Sequence, residues 1–206
     1  FVADRLAHEE DGSPPGPTVH KGHQVVPPEI SPGEAVVLIT LKEVLSYLRS
    51  IGVERGGRLL VTGHGPVGLS AIYLARKVIM ADRIVVAGRR PAAAGEVEDF
   101  GADAYVDTRD DGWPQAAIEA LGRPANAVYE TTGVREVTMG ALGVLEDNGV
   151  LGPYAARTDE QSEEPLPDDP RFGPGGTDEG LSYDELVNAT VDDRIDPSRF
   201  ISHRLA

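Results

Sequence analysis

The stretch that decides the fold reads Arg58-Leu59-Leu60-Val61-Thr62-Gly63-His64-Gly65-Pro66-Val67-Gly68. Its first five residues form a short, mostly apolar run, which is typical of a strand buried on both faces of a parallel sheet. The glycines that follow have the spacing G-x-G-x-x-G, and the proline suits the first position of a helix, where no backbone N–H is needed. The stretch therefore predicts a strand, a tight turn and the beginning of a helix.

Strands and helices alternate along the chain on the carboxyl side of this stretch. Apolar runs predict further strands at residues 83–87, 104–106, 127–129 and from 149 onward. Apolar residues at helical spacing predict helices at about residues 67–78, 91–100, 113–121 and 134–145. Strands that alternate with helices of about ten residues imply right-handed crossovers and a parallel sheet. The expected fold class is α/β, a doubly wound parallel sheet of the Rossmann type.

A further helix is expected before the first strand, at residues 33–51. Ser31, Pro32 and Glu34 give the order of a capping box, in which the serine and the glutamate satisfy each other's free backbone N–H. Gly52 can adopt the positive φ of a helix C-terminus. Outside the alternating region, we expect strands at residues 20–26 and 200–205 and a short helix at 183–191.

The glycine turn has the form of a dinucleotide site, since each glycine meets a different demand. Gly63 permits the turn out of the strand, Gly65 lets a pyrophosphate approach the backbone, and Gly68 lets the helix pack close to the strand. The helix N-terminus adds free N–H donors and a partial positive charge. The predicted cofactor contacts in this turn are Gly63, His64, Gly65, Pro66, Val67 and Gly68, with His64 expected to act through its backbone.

The end of the second strand indicates which dinucleotide is bound. A carboxylate there would hold the ribose hydroxyls of NAD, but the sequence reads Gly88-Arg89-Arg90. Guanidinium groups suit phosphate oxygens, so we predict NADP over NAD. The alternative is that both arginines are ordinary surface residues. Further cofactor contacts are expected after the fourth and fifth strands, at Thr131, Thr132, Gly133 and Tyr154.

Composition narrows the classes of partner. The chain has 206 residues, with 34 acidic against 19 basic ones and a net charge of −15, which argues against nucleic acid as a partner. No apolar run approaches the ~20 residues of a membrane span, and no signal pattern is present at the N-terminus. The chain has no Cys, which fits a reducing cytoplasm. The acidic surface is interpreted as ordinary solvation, with salt adaptation as the alternative.

The ordered set of motifs resembles the medium-chain dehydrogenase/reductase superfamily, the relatives of zinc-dependent alcohol dehydrogenases. The resemblance covers most of the chain and includes the glycine turn. Its other motifs are residues 26–31, 51–57, Phe100-Gly101-Ala102-Asp103, Glu130-Thr131-Thr132-Gly133 and 196–204. Residues 157–182 hold several carboxylates together with Pro and Gly, which predicts an acidic loop. The resemblance implies the other three parts: residues 1–30 as an irregular remnant of a catalytic domain, 31–156 as the Rossmann domain, and 183–206 as a helix and strand returning toward the catalytic domain.

The resemblance also implies a function. In the family, a GroES-like catalytic domain carries zinc on Cys, His and Glu ligands, and only remnants of that domain are expected at the termini here. We therefore expect the cofactor-binding portion of an NADP-dependent alcohol or polyol dehydrogenase, with zinc held only in the missing domain. Because the chain begins with Phe1, we expect a processed product or a piece of a longer protein.

Other readings of the sequence remain open. One is a non-catalytic NAD(P)-binding module, and another is an oligomerisation subunit that pairs through the sheet edge at residues 149–154. His8, His20 and His23 lie in Pro- and Gly-broken sequence and are interpreted as loop residues, so no metal site is predicted. No catalytic residue is assigned, and Tyr154 is expected to be a packed tyrosine rather than a proton donor.

Overall fold

A five-stranded parallel sheet forms the centre of the molecule. The computed structural model describes residues 25–154, 167–173 and 179–202. In this part of the chain the third strand lies at one edge of the sheet and is followed by the second, first, fourth and fifth strands, and every neighbouring pair is parallel. Because the first strand lies between the second and the fourth, the second and third strands lie on one side of it and the fourth and fifth lie on the other. The predicted fold class, a doubly wound α/β sheet of the Rossmann type, is confirmed.

The elements follow one another as the sequence predicts. The strands are β1 Arg58–Thr62, β2 Arg83–Gly88, β3 Ala104–Asp107, β4 Ala125–Glu130 and β5 Leu145–Pro153. The helices are α1 Pro32–Ser50, α2 Pro66–Leu74, α3 Ala94–Asp99, α4 Trp113–Leu121, α5 Arg135–Leu142 and α6 Glu179–Val191. Helix α2 continues into a π-helical turn, Ala75–Ile79, and 3-10 turns lie at Pro91–Ala93 and Pro197–Phe200.

Both faces of the sheet are buried, which explains why its strands are continuous apolar runs. Leu59 and Val61 of β1 pack into a cluster that includes α1 and α2. Leu60, which points to the opposite face, packs into a second cluster with α4 and α5. All three residues are fully buried, so a helix layer covers each side of the sheet.

Helix α1 begins as its capping box predicts. The Glu34 backbone N–H donates to Ser31 Oγ, and the Ser31 N–H donates to the Glu34 carboxylate at 2.9 Å. Gly52, just after the helix, has a φ of +78°, which an L side chain rarely adopts. The helix lies against α2 and α6, and one of its faces is buried along its length.

Two strands expected outside the sheet fall only partly on described residues, since 20–24 and 203–205 lie outside them, and the described part of each is not a strand. The expected final strand begins at Phe200, but Phe200 ends a 3-10 turn, and no strand follows at residues 201–202. The turn forms because Asp196 accepts a hydrogen bond from the Ser198 N–H at 2.9 Å, and Pro197 sets the first turn residue. Val25 and Val26 are not in a strand, since the prolines that follow break it.

The helix expected at 183–191 is confirmed, although it begins earlier, at Glu179, inside the segment predicted as an acidic loop. The predicted catalytic-domain remnants at residues 1–24 and 203–206, and most of the acidic loop, lie outside the described residues. The division of the chain into four parts stays a prediction. Within the described ranges, no helix is both long and apolar enough to cross a membrane.

Candidate functional site

Three strands end together at the carboxyl edge of the sheet. The Gly63 N–H, just after β1, donates to the Ala87 carbonyl of β2 at 2.8 Å. The Thr131 N–H, just after β4, donates to the Thr62 carbonyl at 3.1 Å. The strand order reverses direction at β1, and the carboxyl edge beside such a strand is where doubly wound sheets bind ligands.

The three glycines of the turn have different surroundings. Gly63 has a φ of +88°, and a Cβ there would lie 2.5 Å from Thr131 Oγ1. A Cβ on Gly68 would lie 2.3 Å from the Gly63 carbonyl oxygen, so the close approach of α2 to β1 requires glycine. Gly65 is exposed, and a Cβ on it would meet no atom within 4 Å. The space in front of Gly65 is therefore open to a ligand.

The N-terminus of α2 faces the same opening. Pro66 and Val67 begin the helix, and Gly65 at the N-cap offers no side chain to cap it. The Leu69 N–H donates to the Gly65 carbonyl at 2.9 Å. Backbone N–H groups in the first turn thus have no capping side chain, which is the arrangement that binds phosphate oxygens.

A buried carboxylate lies at the end of β4. Glu130 is 1% exposed, and its Oε1 accepts from Thr62 Oγ1 at 3.2 Å and from the Thr132 N–H at 2.7 Å. It also accepts from the Thr132 hydroxyl and from the Gly133 N–H. This network fixes the turn through Thr131, Thr132 and Gly133. Glu130 is part of a motif in the sequence but was given no role there, because one of its donors, Thr62, lies on a different strand.

The end of β2 is built differently. The imidazole of His64 lies over Gly88, where a Cβ would be 2.6 Å from His64 Nδ1 and 2.7 Å from the Tyr105 hydroxyl. Arg90 Nε donates to His64 Nε2 at 3.1 Å, and the Arg90 N–H donates to the Tyr105 hydroxyl at 2.8 Å. Burial, followed by the nearby Arg90 charge, holds the pKa of His64 below its usual value, although Glu96 opposes this shift.

The arginines predicted at this strand end are both exposed. Arg90 is held through its Nε, which leaves its other guanidinium N–H groups as donors. Arg89 forms no hydrogen bond or ion pair with the part of the chain that the structure describes. Tyr105 was missed from the sequence, because its position on β3 reveals its nearness to Arg90 only once the strand order is known.

Tyr154 lies just after β5 and beside β4, where its N–H donates to the Glu130 carbonyl at 2.8 Å. Its ring packs against Tyr47 and Tyr129, with centroids 5.6 and 5.4 Å away. Burial, together with Glu43, raises the pKa of Tyr154 to about 12. The packed tyrosine expected from the sequence is therefore found, and its contact with a cofactor stays a prediction.

The described residues do not fit a zinc site. No group of three or more His, Asp or Glu side chains converges within the described ranges, and the full sequence has no Cys. The histidines at positions 8, 20 and 23 lie outside those ranges. The groups that do converge are backbone N–H donors, the Arg90 guanidinium and the His64 imidazole, which together suit a phosphorylated ligand.

The fold and this edge define a nucleotide-binding α/β domain of the dehydrogenase type. Residues 66–171 match the sequence model of the family described as zinc-binding dehydrogenase. This range is more than half of the 206 residues, so the chain belongs to that family, within the medium-chain dehydrogenase/reductase superfamily. The resemblance drawn from the sequence motifs is confirmed.

Similar proteins are dehydrogenases, which are oxidoreductases. The geraniol dehydrogenase of Castellaniella defragrans is 31% identical over 77% of this chain and 40% of its own length. The alcohol dehydrogenase TADH of Thermus sp. ATN1 has a TM-score of 0.72 at 23% identity, over 87% of this chain and 54% of that one. The 2R,3R-butanediol dehydrogenase of Bacillus subtilis has a TM-score of 0.58 at 26% identity, over 63% of this chain and 37% of that one. The chain therefore spans about half or less of the length of these relatives.

Proposed function

We propose that this chain is the cofactor-binding portion of an NADP-dependent alcohol or polyol dehydrogenase. The observation that carries the proposal is the end of β2, where two exposed arginines and no carboxylate follow Gly88, and Arg90 contacts His64 of the glycine turn. A carboxylate there would repel a ribose 2′-phosphate, whereas a guanidinium group binds one. The substrate class is supported by the names of two relatives, a geraniol dehydrogenase and a butanediol dehydrogenase.

The residues of the site fit this cofactor in separate ways. The open space at Gly65 and the uncapped N-terminus of α2 suit the pyrophosphate. The turn fixed by Glu130, at Thr132 and Gly133, lies on the other side of β1 and suits the nicotinamide end. When bound, the cofactor would supply hydride transfer to or from a carbonyl carbon. This chain's residues would bind and orient it.

A titration with matched variants tests the cofactor preference. We expect the wild-type chain to bind NADPH more tightly than NADH by about tenfold or more. Arg89→Ala combined with Arg90→Ala should lower NADPH affinity about 100-fold, because each phosphate-bound guanidinium contributes about 1.5–3 kcal/mol. NADH affinity should change little. The measurement is the fluorescence of the bound reduced cofactor.

Arg123→Ala is the control, since Arg123 is exposed and lies before β4, at the opposite edge of the sheet. It removes one positive charge without touching the site, and we expect unchanged affinity for both cofactors. Wild-type protein that binds NADH as tightly as NADPH would contradict the proposed cofactor. Equal NADPH affinity in the double variant and in wild type would contradict the role of the arginines.

The remaining parts of the proposal concern the whole protein. We propose a cytoplasmic enzyme, on the ground that the chain has no Cys, with the zinc of the family held by residues other than those described here. The parent protein should reduce NADP in the presence of primary alcohols or polyols. A full-length parent that binds NADPH yet transfers no hydride with these substrates would favour the non-catalytic module instead.

A further inference from the structure

The side chain of His64 has a donor without a partner at the cofactor edge. His64 is 7% exposed, and its Nδ1 has no hydrogen-bond partner among the described residues. A buried polar group left unpaired costs about 1–3 kcal/mol, so such a group is seldom retained without a ligand or a strain to account for it.

The protonation state of the His64 ring follows from the hydrogen bond at its other nitrogen, Nε2. Arg90 Nε is a donor only, and its bond to His64 Nε2 at 3.1 Å makes that nitrogen an acceptor. The lowered pKa of His64 keeps the imidazole neutral near pH 7, so its single proton is on Nδ1. The ring therefore holds Arg90 with one nitrogen and presents an unused N–H with the other.

The unused N–H lies at the end of β2, beside Arg90, to which the proposed function assigns the 2′-phosphate. A Cβ on Gly88 would be within 2.8 Å of His64 Nδ1, His64 Cε1 and the Tyr105 hydroxyl, so both polar groups converge on the backbone at the end of β2. The groups that face the ring are Arg90, Tyr105 and Glu96, and of these only Glu96 is anionic. An anionic acceptor from a ligand is the partner that this set lacks.

We infer that His64 is a specificity-determining residue for a phosphorylated ribose: its Nε2 positions Arg90, and its Nδ1–H donates to the 2′-phosphate. This inference rests on the proposed NADP preference and extends it from the arginines to a side chain inside the glycine turn. Contact requires the ring to shift off Gly88, because Nδ1 is buried against that residue; the donor would then gain the acceptor that it lacks in the free protein.

Binding of two fragments isolates the 2′-phosphate from the rest of the cofactor. Adenosine 2′,5′-bisphosphate and AMP differ only in that group, and isothermal titration calorimetry gives the affinity of each. We expect His64→Ala to lower the affinity for the bisphosphate about tenfold or more, since a hydrogen bond to a charged group contributes about 1.5–3 kcal/mol. The affinity for AMP should change by less than about threefold.

His64→Asn separates the two roles of the ring. Asparagine keeps a side-chain N–H near the place of Nδ1 but is too short to accept from Arg90. A direct donor role predicts that His64→Asn binds the bisphosphate more tightly than His64→Ala by about threefold or more. Equal losses in both variants would overturn the donor role. Thermal unfolding without ligand confirms that each variant is folded.

The outcome also separates this inference from the proposed function. If wild-type protein shows no preference for the bisphosphate over AMP, the NADP proposal itself fails. If wild type prefers the bisphosphate and the double arginine variant loses that preference, but His64→Ala retains it, then only the inference about His64 is overturned. A change in the imidazole nitrogen NMR shift of His64 on adding the bisphosphate, but not AMP, is the direct sign of the contact.

Discussion

The two strands that flank β1 end in opposite ways. At the end of β4, the Glu130 carboxylate accepts hydrogen bonds from Thr62, Thr132 and Gly133. Its acceptor oxygens therefore find their donors within the chain. At the end of β2, two arginines are exposed and His64 Nδ1 has no partner among the described residues. The difference indicates that the Glu130 carboxylate is used within the fold, and it supports the proposal that the side chains at the β2 end bind a ligand.

Substitution of Gly63 should have a large effect on stability. A Cβ there combines a φ of +88° with a 2.5 Å approach to Thr131 Oγ1, on the β4 side of the turn. We expect Gly63→Ala to lower the free energy of unfolding by about 3 kcal/mol, since overpacking and backbone strain add. Urea denaturation measures the change.

Gly65→Ala is the matched control for this substitution. The same methyl group is added two residues away, at a φ of −71° and with no atom within 4 Å of the new Cβ. We expect a change in unfolding free energy of less than about 0.5 kcal/mol, but weaker NADPH binding, because the methyl fills the ligand's space. Similar stability losses for both variants would contradict the distinct roles given to the two glycines.

Glu130→Gln tests whether the β4 end is a structural network. The amide has the shape of the carboxylate, but one acceptor oxygen becomes an NH₂ donor. This donor would face backbone N–H groups, which are themselves donors. We expect a loss of about 2 kcal/mol in unfolding free energy, measured by urea denaturation. Glu136→Gln, an exposed position on α5, should be close to neutral. A neutral Glu130→Gln would show that the network adds little to the fold.

Tyr105→Phe tests the β2 end with a smaller change. It removes the hydroxyl that accepts from the Arg90 N–H, and we expect a stability loss of about 1 kcal/mol with about fivefold weaker NADPH binding. Tyr183→Phe also removes one hydroxyl hydrogen bond, to the Val25 carbonyl, but lies away from the site. Equal NADPH affinities in the two variants would argue that Tyr105 does not help to place Arg90.

The smallest expected effect is the pH dependence that His64 gives to stability. Its pKa is lowered in the folded protein by burial and by Arg90, so the unfolded chain takes up the proton first as the pH falls below about 6.5. The contribution of the neutral ring is thus present above that pH and is lost as the pH falls through the folded pKa. Between about pH 7.5 and pH 5, the urea midpoint should fall more for wild type than for His64→Gln. Parallel curves would contradict the shift.

The sheet could be predicted from the sequence because its signals are local. Runs such as Arg58–Thr62 are apolar, short and bounded by glycine, and the predicted strand has the bounds that the structure gives. The first residues of the expected final strand, 200–202, are not in a strand for a local reason as well, since the cap by Asp196 and Pro197 was not recognised as the start of a 3-10 turn.

The site could be predicted only in part. The glycine turn and the arginines follow from their place after β1 and β2. The role of Glu130, the contact of Tyr105 with Arg90 and the side-chain role of His64 depend on strands that are distant in sequence. A pattern within one segment carries no information about the donor that a neighbouring strand brings to it.

Whether the β2 end selects a phosphorylated ribose can be measured on the wild-type chain itself. Titration with NADPH and with NADH at one ionic strength, followed by cofactor fluorescence, gives the two dissociation constants. We expect NADPH to bind more tightly than NADH by about tenfold or more. Equal binding of the two cofactors, or tighter binding of NADH, would contradict it.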